Sequence, residues 1–266
     1  MSSEGYLTHG AEGCYPKMSI PARRNRERVC NSMHVAMILG ASTHQAAQRG
    51  FGRALLPVEG AEALLALVEA AARAEVQTLT LYTFAAVNLP YPSAEADALM
   101  RLFHKYLMTG TARCLEQSIR IHVIGRRDRL KKDQRRAIEH CERLTAAGSR
   151  LQLRIVLDYS SHDRIVHAAW RANRSPTLTP QDFYRRLQEL DPSVLPAGGA
   201  DLLIRTGGEL RRLSDFMLWE VAYAQLHFTD CPWPDFDEQH FQCALKDFAA
   251  RQRRGTFLGR CLARDL

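Results

Sequence analysis

The feature that most constrains this chain is an alternation. Short apolar runs recur, and most are followed by a segment of helical length and helical periodicity. The runs are residues 34–38, 79–84, 119–125, 151–159 and 200–204. Runs of this length, rich in β-branched and other apolar residues, read as strands. Between them lie an Ala/Leu-rich segment (59–74) and a segment at 93–108. In the latter, Ser93 is placed as N-cap and Leu99, Met100, Phe103 and Leu107 share one face. A charged amphipathic segment follows at 128–147. Thr179-Pro180-Gln181-Asp182 then opens a helix through Leu190. Strands that alternate with helices predict a doubly wound α/β fold with a mostly parallel sheet and helices around it. In such folds ligands sit at the carboxyl ends of strands. Gly40, Phe84, Tyr159 and Arg205 all lie at such ends and are expected to converge.

Size and composition fit one domain. The chain has 266 residues, 46% of them hydrophobic and 24% charged, enough for one large core. Residues 34–255 read as that domain, with a flexible tail at 1–33 and a second tail at 256–266. No apolar run is long enough to span a bilayer, so no stable membrane insertion is expected. The polar first residues do not read as a secretory signal. The seven cysteines are odd in number and show no C-x-x-C spacing. That argues against structural disulfides and zinc, and suits a reducing cytoplasm. The net charge of +7 rests partly on arginines at both ends, Arg23 to Arg28 and Arg251 to Arg264. Without aromatic–basic interleaving these read as solvated, and no nucleic-acid partner is expected.

One stretch carries chemistry. Arg205-Thr206-Gly207-Gly208-Glu209-Leu210-Arg211-Arg212-Leu213-Ser214-Asp215-Phe216 joins an apolar strand to a segment, 216–224, that reads as an apolar helix. Glycines in a turn after a strand, with arginines at a helix entrance, suit a phosphate. Backbone N–H groups favour the anion and guanidinium forks grip its oxygens. Trp219 and Tyr223 read as packing residues of that helix.

That stretch, continued by Ala222-Tyr223-Ala224-Gln225-Leu226-His227-Phe228-Thr229-Asp230-Cys231-Pro232-Trp233-Pro234-Asp235-Phe236, resembles the C-terminal signature of the cis-prenyltransferases, the undecaprenyl diphosphate synthase-like family. His34-Val35-Ala36-Met37-Ile38 resembles the family's first strand. Arg49-Gly50 and Arg53 resemble the basic stretch after its first loop, and residues 79–84 with Asn88 resemble its third region. The resemblance implies a long apolar tunnel, with Thr83 on a strand that walls it, and a homodimer. It also implies the joining of isopentenyl diphosphate to an allylic diphosphate. Arg205, Arg212 and Ser214 match the family's grip on one diphosphate. An apparent insertion near Leu210 makes Arg211 an alternative to Arg212.

Departures from the pattern shape the functional expectation. The family's catalytic aspartate position is Gly40, and the following Asn, Arg and Trp positions are Ser42, His44 and Gln45. A second metal-linked carboxylate falls at Gln225. Mg²⁺ wants charged oxygen ligands, so Mg²⁺ is expected to be dispensable or weakly held. One diphosphate pocket is kept and the other rewritten. This predicts an atypical prenyltransferase of specialised terpenoid metabolism. It takes one prenyl diphosphate donor and alkylates a non-diphosphate, aromatic or heteroaromatic acceptor. His44 or Asp158 would take the acceptor proton; His44 could instead hydrogen-bond a diphosphate. Arg205, Arg211, Arg212, Ser214, Gly207, Gly208, Arg53, Asn88 and Thr83 form the substrate-binding set. A terpene-cyclase-like reaction, a non-catalytic subunit of a heteromer and an ordinary chain-elongating synthase remain as alternatives.

Overall fold

The computed structural model describes residues 33–40, 59–85, 94–172, 178–190, 199–207 and 211–262. Six strands form one sheet: β1 (His34–Ile38), β2 (Thr78–Ala85), β3 (Ile119–Ile124), β4 (Leu151–Tyr159), β5 (Leu202–Arg205) and β6 (Gln225–Phe228). Their order is β3-β4-β2-β1-β5-β6, and every pairing is parallel. Six described helices surround it: α1 (Glu59–Arg73), α2 (Ala94–Glu116), α3 (Lys132–Leu144), α4 (Ser161–Ala172), α5 (Pro180–Glu189) and α6 (Glu238–Leu262). The expected doubly wound α/β fold is the one observed.

Alternation along the strands sorts the residues onto two faces. Val35, Met37, Leu79, Leu81, Ile121 and Leu153 join the larger core with residues of α1, α2, α3 and α6. Ala36, Ile38, Tyr82, Val156 and Leu203 face a second core that holds Phe216, Met217 and Val221. A smaller cluster joins α4 and α5 through Ala168, Phe183 and Leu187. The outer edge of β3 is closed by α3: Ile121 N–H donates to Thr145 Oγ1 and Val123 N–H to Glu142 Oε1. Arg73 of α1 pairs with Glu238 of α6.

The start of α5 matches the sequence reading. Thr179 Oγ1 accepts from Asp182 N–H, the Asp182 carboxylate reaches back, and Pro180 opens the helix. Other boundaries moved. The α2 helix runs on to Glu116, and α3 is shorter than expected. Ser93 and the side chain of Leu99 lie outside the described residues. Residues 256–262, expected as a tail, continue α6. Arg251 is not solvated either, since it donates to Leu226 O and pairs with Asp247.

The largest correction concerns residues 216–224, which form a succession of turns and no helix. Ser214, Asp215 and Met217 hold φ of 52, 61 and 47°, the left-handed region, which breaks any helical course. Tyr223 is 92% exposed, so it packs nothing.

Candidate active site

The sheet's topological switch lies between β1 and β5, because the chain leaves β1 toward β2 and leaves β5 toward β6. The ends of these two strands are laced together. Gly40 N–H donates to Thr206 Oγ1 (2.9 Å), whose hydroxyl returns a bond to Gly40 O (3.1 Å). Gly40 O also accepts from Trp233 N–H, and Gly207 N–H reaches Cys231 O. No room is left for side chains. A Cβ on Gly40 would stand 2.6 Å from Thr206 O. One on Gly207 would stand 2.6 Å from Gly40 O, and Gly207 has φ +88° besides.

Arg205 ends β5 and projects on the second face, only 7% exposed. Its Nη1 donates to Arg212 O (2.6 Å) and Ser214 Oγ (2.9 Å). No carboxylate pairs with it among the described residues. Burial, then the neighbouring Arg212 charge, lowers its affinity for its own proton. The group stays charged regardless, so an anion placed beside it would be favoured. Arg211 and Arg212 are exposed, and it is Arg212 whose charge bears on Arg205.

The loop carrying Ser214 is anchored elsewhere. Asp215 Oδ1 accepts from His162 N–H (2.9 Å), Asp215 O accepts from Ser161 N–H, and Leu218 N–H donates to Ser161 Oγ. These bonds tie the loop to the first turn of α4, whose N–H groups Asp215 neutralises. Ser160 Oγ caps the same helix through Asp163 N–H. His162 also pairs through Nδ1 with Asp215. Phe216 is fully buried, stacked on Tyr82 (4.8 Å between centroids) with its edge to Tyr159. Left-handed backbone at three non-glycine residues costs about 1–3 kcal/mol each. The anchoring holds Ser214 there against that cost.

Tyr82 was missed as a site residue by sequence reasoning. Its hydroxyl donates to Ser214 O (3.2 Å), and burial, reinforced by Asp215, pushes it up to about 12. Only its place on the same sheet face as Arg205 gave a hint.

The remaining expected residues fall as follows. Thr83 is the residue skipped in the β2–β4 register, at a bulge between Tyr82 and Phe84. His44, Arg53, Asn88 and Gly208 lie outside the described residues. Asp158 is buried at the end of β4, and its two oxygens receive Arg129 Nε (2.7 Å) and Nη2. It is an ion-pair partner, which leaves it ill placed to act as a free base. Gln225 opens β6 and pairs in register with Leu202, three residues below Arg205. It therefore sits roughly 10 Å back from the carboxyl edge, away from Gly40.

Among the described residues at these strand ends, the donors do not fit Mg²⁺. Gly40 has no side chain and no space for one, Asp158 belongs to Arg129, and Asp215 belongs to α4 and His162. No group of three or more His, Cys, Asp or Glu suited to a metal occurs among the described residues.

An apolar pocket opens under the first face, with about 500 Å³ of empty space counting its open mouth. Leu64 and Val68 of α1, Phe103 and Leu107 of α2, and Leu153 and Ile155 of β4 contribute its walls. Phe103 and Leu107 line this pocket while also packing in the core, and Met100 packs in the same core.

A family model for prenyltransferases of the undecaprenyl diphosphate synthase type matches residues 44–256. The chain belongs to this family. It is an enzyme of the prenyltransferase class. It is 42% identical over 222 residues to an isoprenyl transferase of Bradyrhizobium diazoefficiens, covering 84% of this chain and 88% of that one. It is 38% identical over 226 residues to a ditrans,polycis-undecaprenyl-diphosphate synthase, farnesyl-diphosphate specific, of Pseudomonas syringae pv. tomato (83% and 89% covered). Among solved structures it is similar to lavandulyl diphosphate synthase from Lavandula x intermedia in complex with dimethylallyl diphosphate. There the TM-score is 0.74, with 25% identity over 82% of this chain and 95% of that one. No helix among the described residues is long and apolar enough to cross a membrane.

Proposed function

We propose that this prenyltransferase binds one prenyl diphosphate at Arg205 and transfers its prenyl group to an acceptor that carries no diphosphate. The observation that carries the reading is the pairing of a buried, carboxylate-free Arg205 on Ser214 with a neighbouring strand end, Gly40, that can hold no acid. Arg205 and Ser214 supply donors for one anion site, and Gly40 supplies no charge to the other.

The chemistry follows from the charges. The bond from C1 of the prenyl group to the bridging oxygen breaks, and its electron pair leaves with the diphosphate. Arg205 and Arg212 carry cationic charge toward that developing anion, and Ser214 Oγ lies beside it. The allylic cation takes an electron pair from an aromatic or heteroaromatic acceptor, which then loses a proton. His44 is the proposed proton acceptor, since Asp158 is engaged by Arg129. The solved relative that holds dimethylallyl diphosphate supports an allylic diphosphate as ligand. No step here requires Mg²⁺. A homodimer is part of the same proposal; Val166 and Trp170, one turn apart on α4 and both exposed, suit such a contact.

A second reading is favoured by the identity to isoprenyl transferases. In it the chain elongates an allylic diphosphate with isopentenyl diphosphate, as the family resemblance implies. Incubation of the enzyme with labelled farnesyl diphosphate and a panel of phenols and indoles tests the choice. Prenylated acceptor and released diphosphate support the first reading. Products formed only when isopentenyl diphosphate is added support the second.

A further inference from the structure

The second face of the sheet changes character along β3 and β4. Near the carboxyl edge it is apolar, with Ile124 in register with Val156. Further back on each strand it is polar. His122 is in register with Arg154, and Arg120 with Gln152. Side chains alternate along a strand, so these four share the face of Ile124 and Val156. His122 and Arg154 are only 4% and 5% exposed. Arg120 and Gln152, nearer the amino ends, are half-buried.

These groups are donors without enough acceptors. Arg154 Nη2 donates to Gln152 Oε1 (3.2 Å), which leaves the Gln152 amide nitrogen as a donor. That nitrogen, Arg120 Nε and both ring nitrogens of His122 are buried with no hydrogen-bond partner. Donors left in that state are costly. The nearby acids are committed elsewhere. Glu142 of α3 is held by Arg127 and by Val123 N–H. Glu220 interacts with Arg164 as well as Arg154, and burial pushes its carboxyl up, which weakens it as a counter-ion. A buried water could bond these donors, but it brings no charge to two guanidinium groups.

We propose that Arg120, His122, Gln152 and Arg154 bind one tetrahedral dianion of the phosphate class on this face, roughly 20 Å from Arg205. The site is independent of the prenyl reading. The four Cα positions mark a rectangle of about 4.8 by 6.6 Å, the scale of a single such anion. The guanidinium forks supply charge and Gln152 supplies a neutral donor. A neutral imidazole has one donor nitrogen and an imidazolium has two, so the anion is held best with a proton on His122. In the free protein that proton is resisted. Burial, then Arg120, holds His122 down at about 4, with Arg154 and Arg127 adding to this and Glu142 opposing it. A dianion offsets those charges, so binding tightens as pH falls.

Sulfate is the probe, because its charge does not change between pH 5 and pH 7. The ring signals of His122, assigned by their loss in His122→Gln, are followed by NMR as sulfate is added to the full chain at fixed ionic strength. They are expected to shift saturably, with affinity about tenfold tighter at the lower pH. Arg120→Gln keeps a long polar side chain at a half-buried position and is expected to weaken binding by about tenfold. Arg205→Ala is expected to leave the shifts unchanged. Signals that ignore sulfate at pH 5, or that respond alike in wild type and Arg120→Gln, overturn the site. Shifts abolished by Arg205→Ala overturn it too, since the anion would then sit at the diphosphate site. Equal affinity at both pH values overturns the part assigned to His122.

Discussion

Gly40 and Thr206, 166 residues apart, exchange two hydrogen bonds at the joined ends of β1 and β5, and Thr206 O fills the space a Gly40 side chain would need. The absence of an acid at position 40 is therefore built into the backbone packing. Gly40→Asp is expected to destabilise the fold by roughly 1–3 kcal/mol, since backbone must move to admit it. It is also expected not to create Mg²⁺-dependent turnover. Thermal unfolding and product assays with and without Mg²⁺ check both. A stable variant with new Mg²⁺-dependent chain elongation would contradict the account.

The proposed function puts Arg205 at the centre of the diphosphate site. Arg205→Ala is expected to lower kcat/KM by about 10²–10³-fold, the loss typical of one transition-state charge donor. Arg205→Lys should recover little, because a point charge cannot serve Arg212 O, Ser214 Oγ and an oxyanion with one planar fork. Steady-state kinetics on both variants decides. A lysine variant as active as the wild type would show that charge alone matters.

Asp215 positions Ser214 through α4. Asp215→Ala removes the acceptor for His162 N–H and should cost on the order of 1 kcal/mol of stability, as loss of a cap does. It should also weaken diphosphate binding, seen as a raised KM. Asp215→Asn keeps an oxygen at the same place and is expected to rescue both. Equal KM for alanine and asparagine variants would argue against anchoring.

His122 gives a pH dependence. It is buried on β3 beside Arg154 of β4, with both ring nitrogens unpartnered. Burial, followed by the charges of Arg120, Arg154 and Arg127 against Glu142, lowers it from 6.5 to about 4. The unfolded chain thus binds a proton that the folded chain refuses between those values. Stability is fully present above about 6.5 and is lost as pH falls toward 4. Melting temperatures across that window, wild type against His122→Gln, should converge or cross in the variant's favour as pH drops. A difference independent of pH would contradict this.

The strands were legible because buried parallel strands leave short runs dominated by apolar residues, even where Gln152 and Arg154 interrupt them; β1 and β4 fall where the sequence put them. The cap at Thr179 was legible for a local reason, a side chain bonding its own helix start. Residues 216–224 were misread because Phe216, Val221 and the alanines mimic a helical stripe. The left-handed turn is enforced by distant bonds to Ser161 and His162, which no local pattern reveals. The start of α4 did carry a signal, Ser160 followed by Asp163 three residues later. At the site, Arg205 could be found from the Gly/Arg character of the loop, and Ser214 from the family resemblance. Tyr82 and the Gly40–Thr206 contact could not, since both depend on strand order across the sheet.

The most direct measurement is release of labelled diphosphate from farnesyl diphosphate in the presence of EDTA, without isopentenyl diphosphate, comparing wild type with Arg205→Ala. The account predicts release by the wild type that persists in EDTA, increases with a suitable aromatic acceptor, and falls in the variant. Release seen only with both isopentenyl diphosphate and Mg²⁺, accompanied by longer prenyl diphosphates, would contradict it and establish an ordinary elongating synthase.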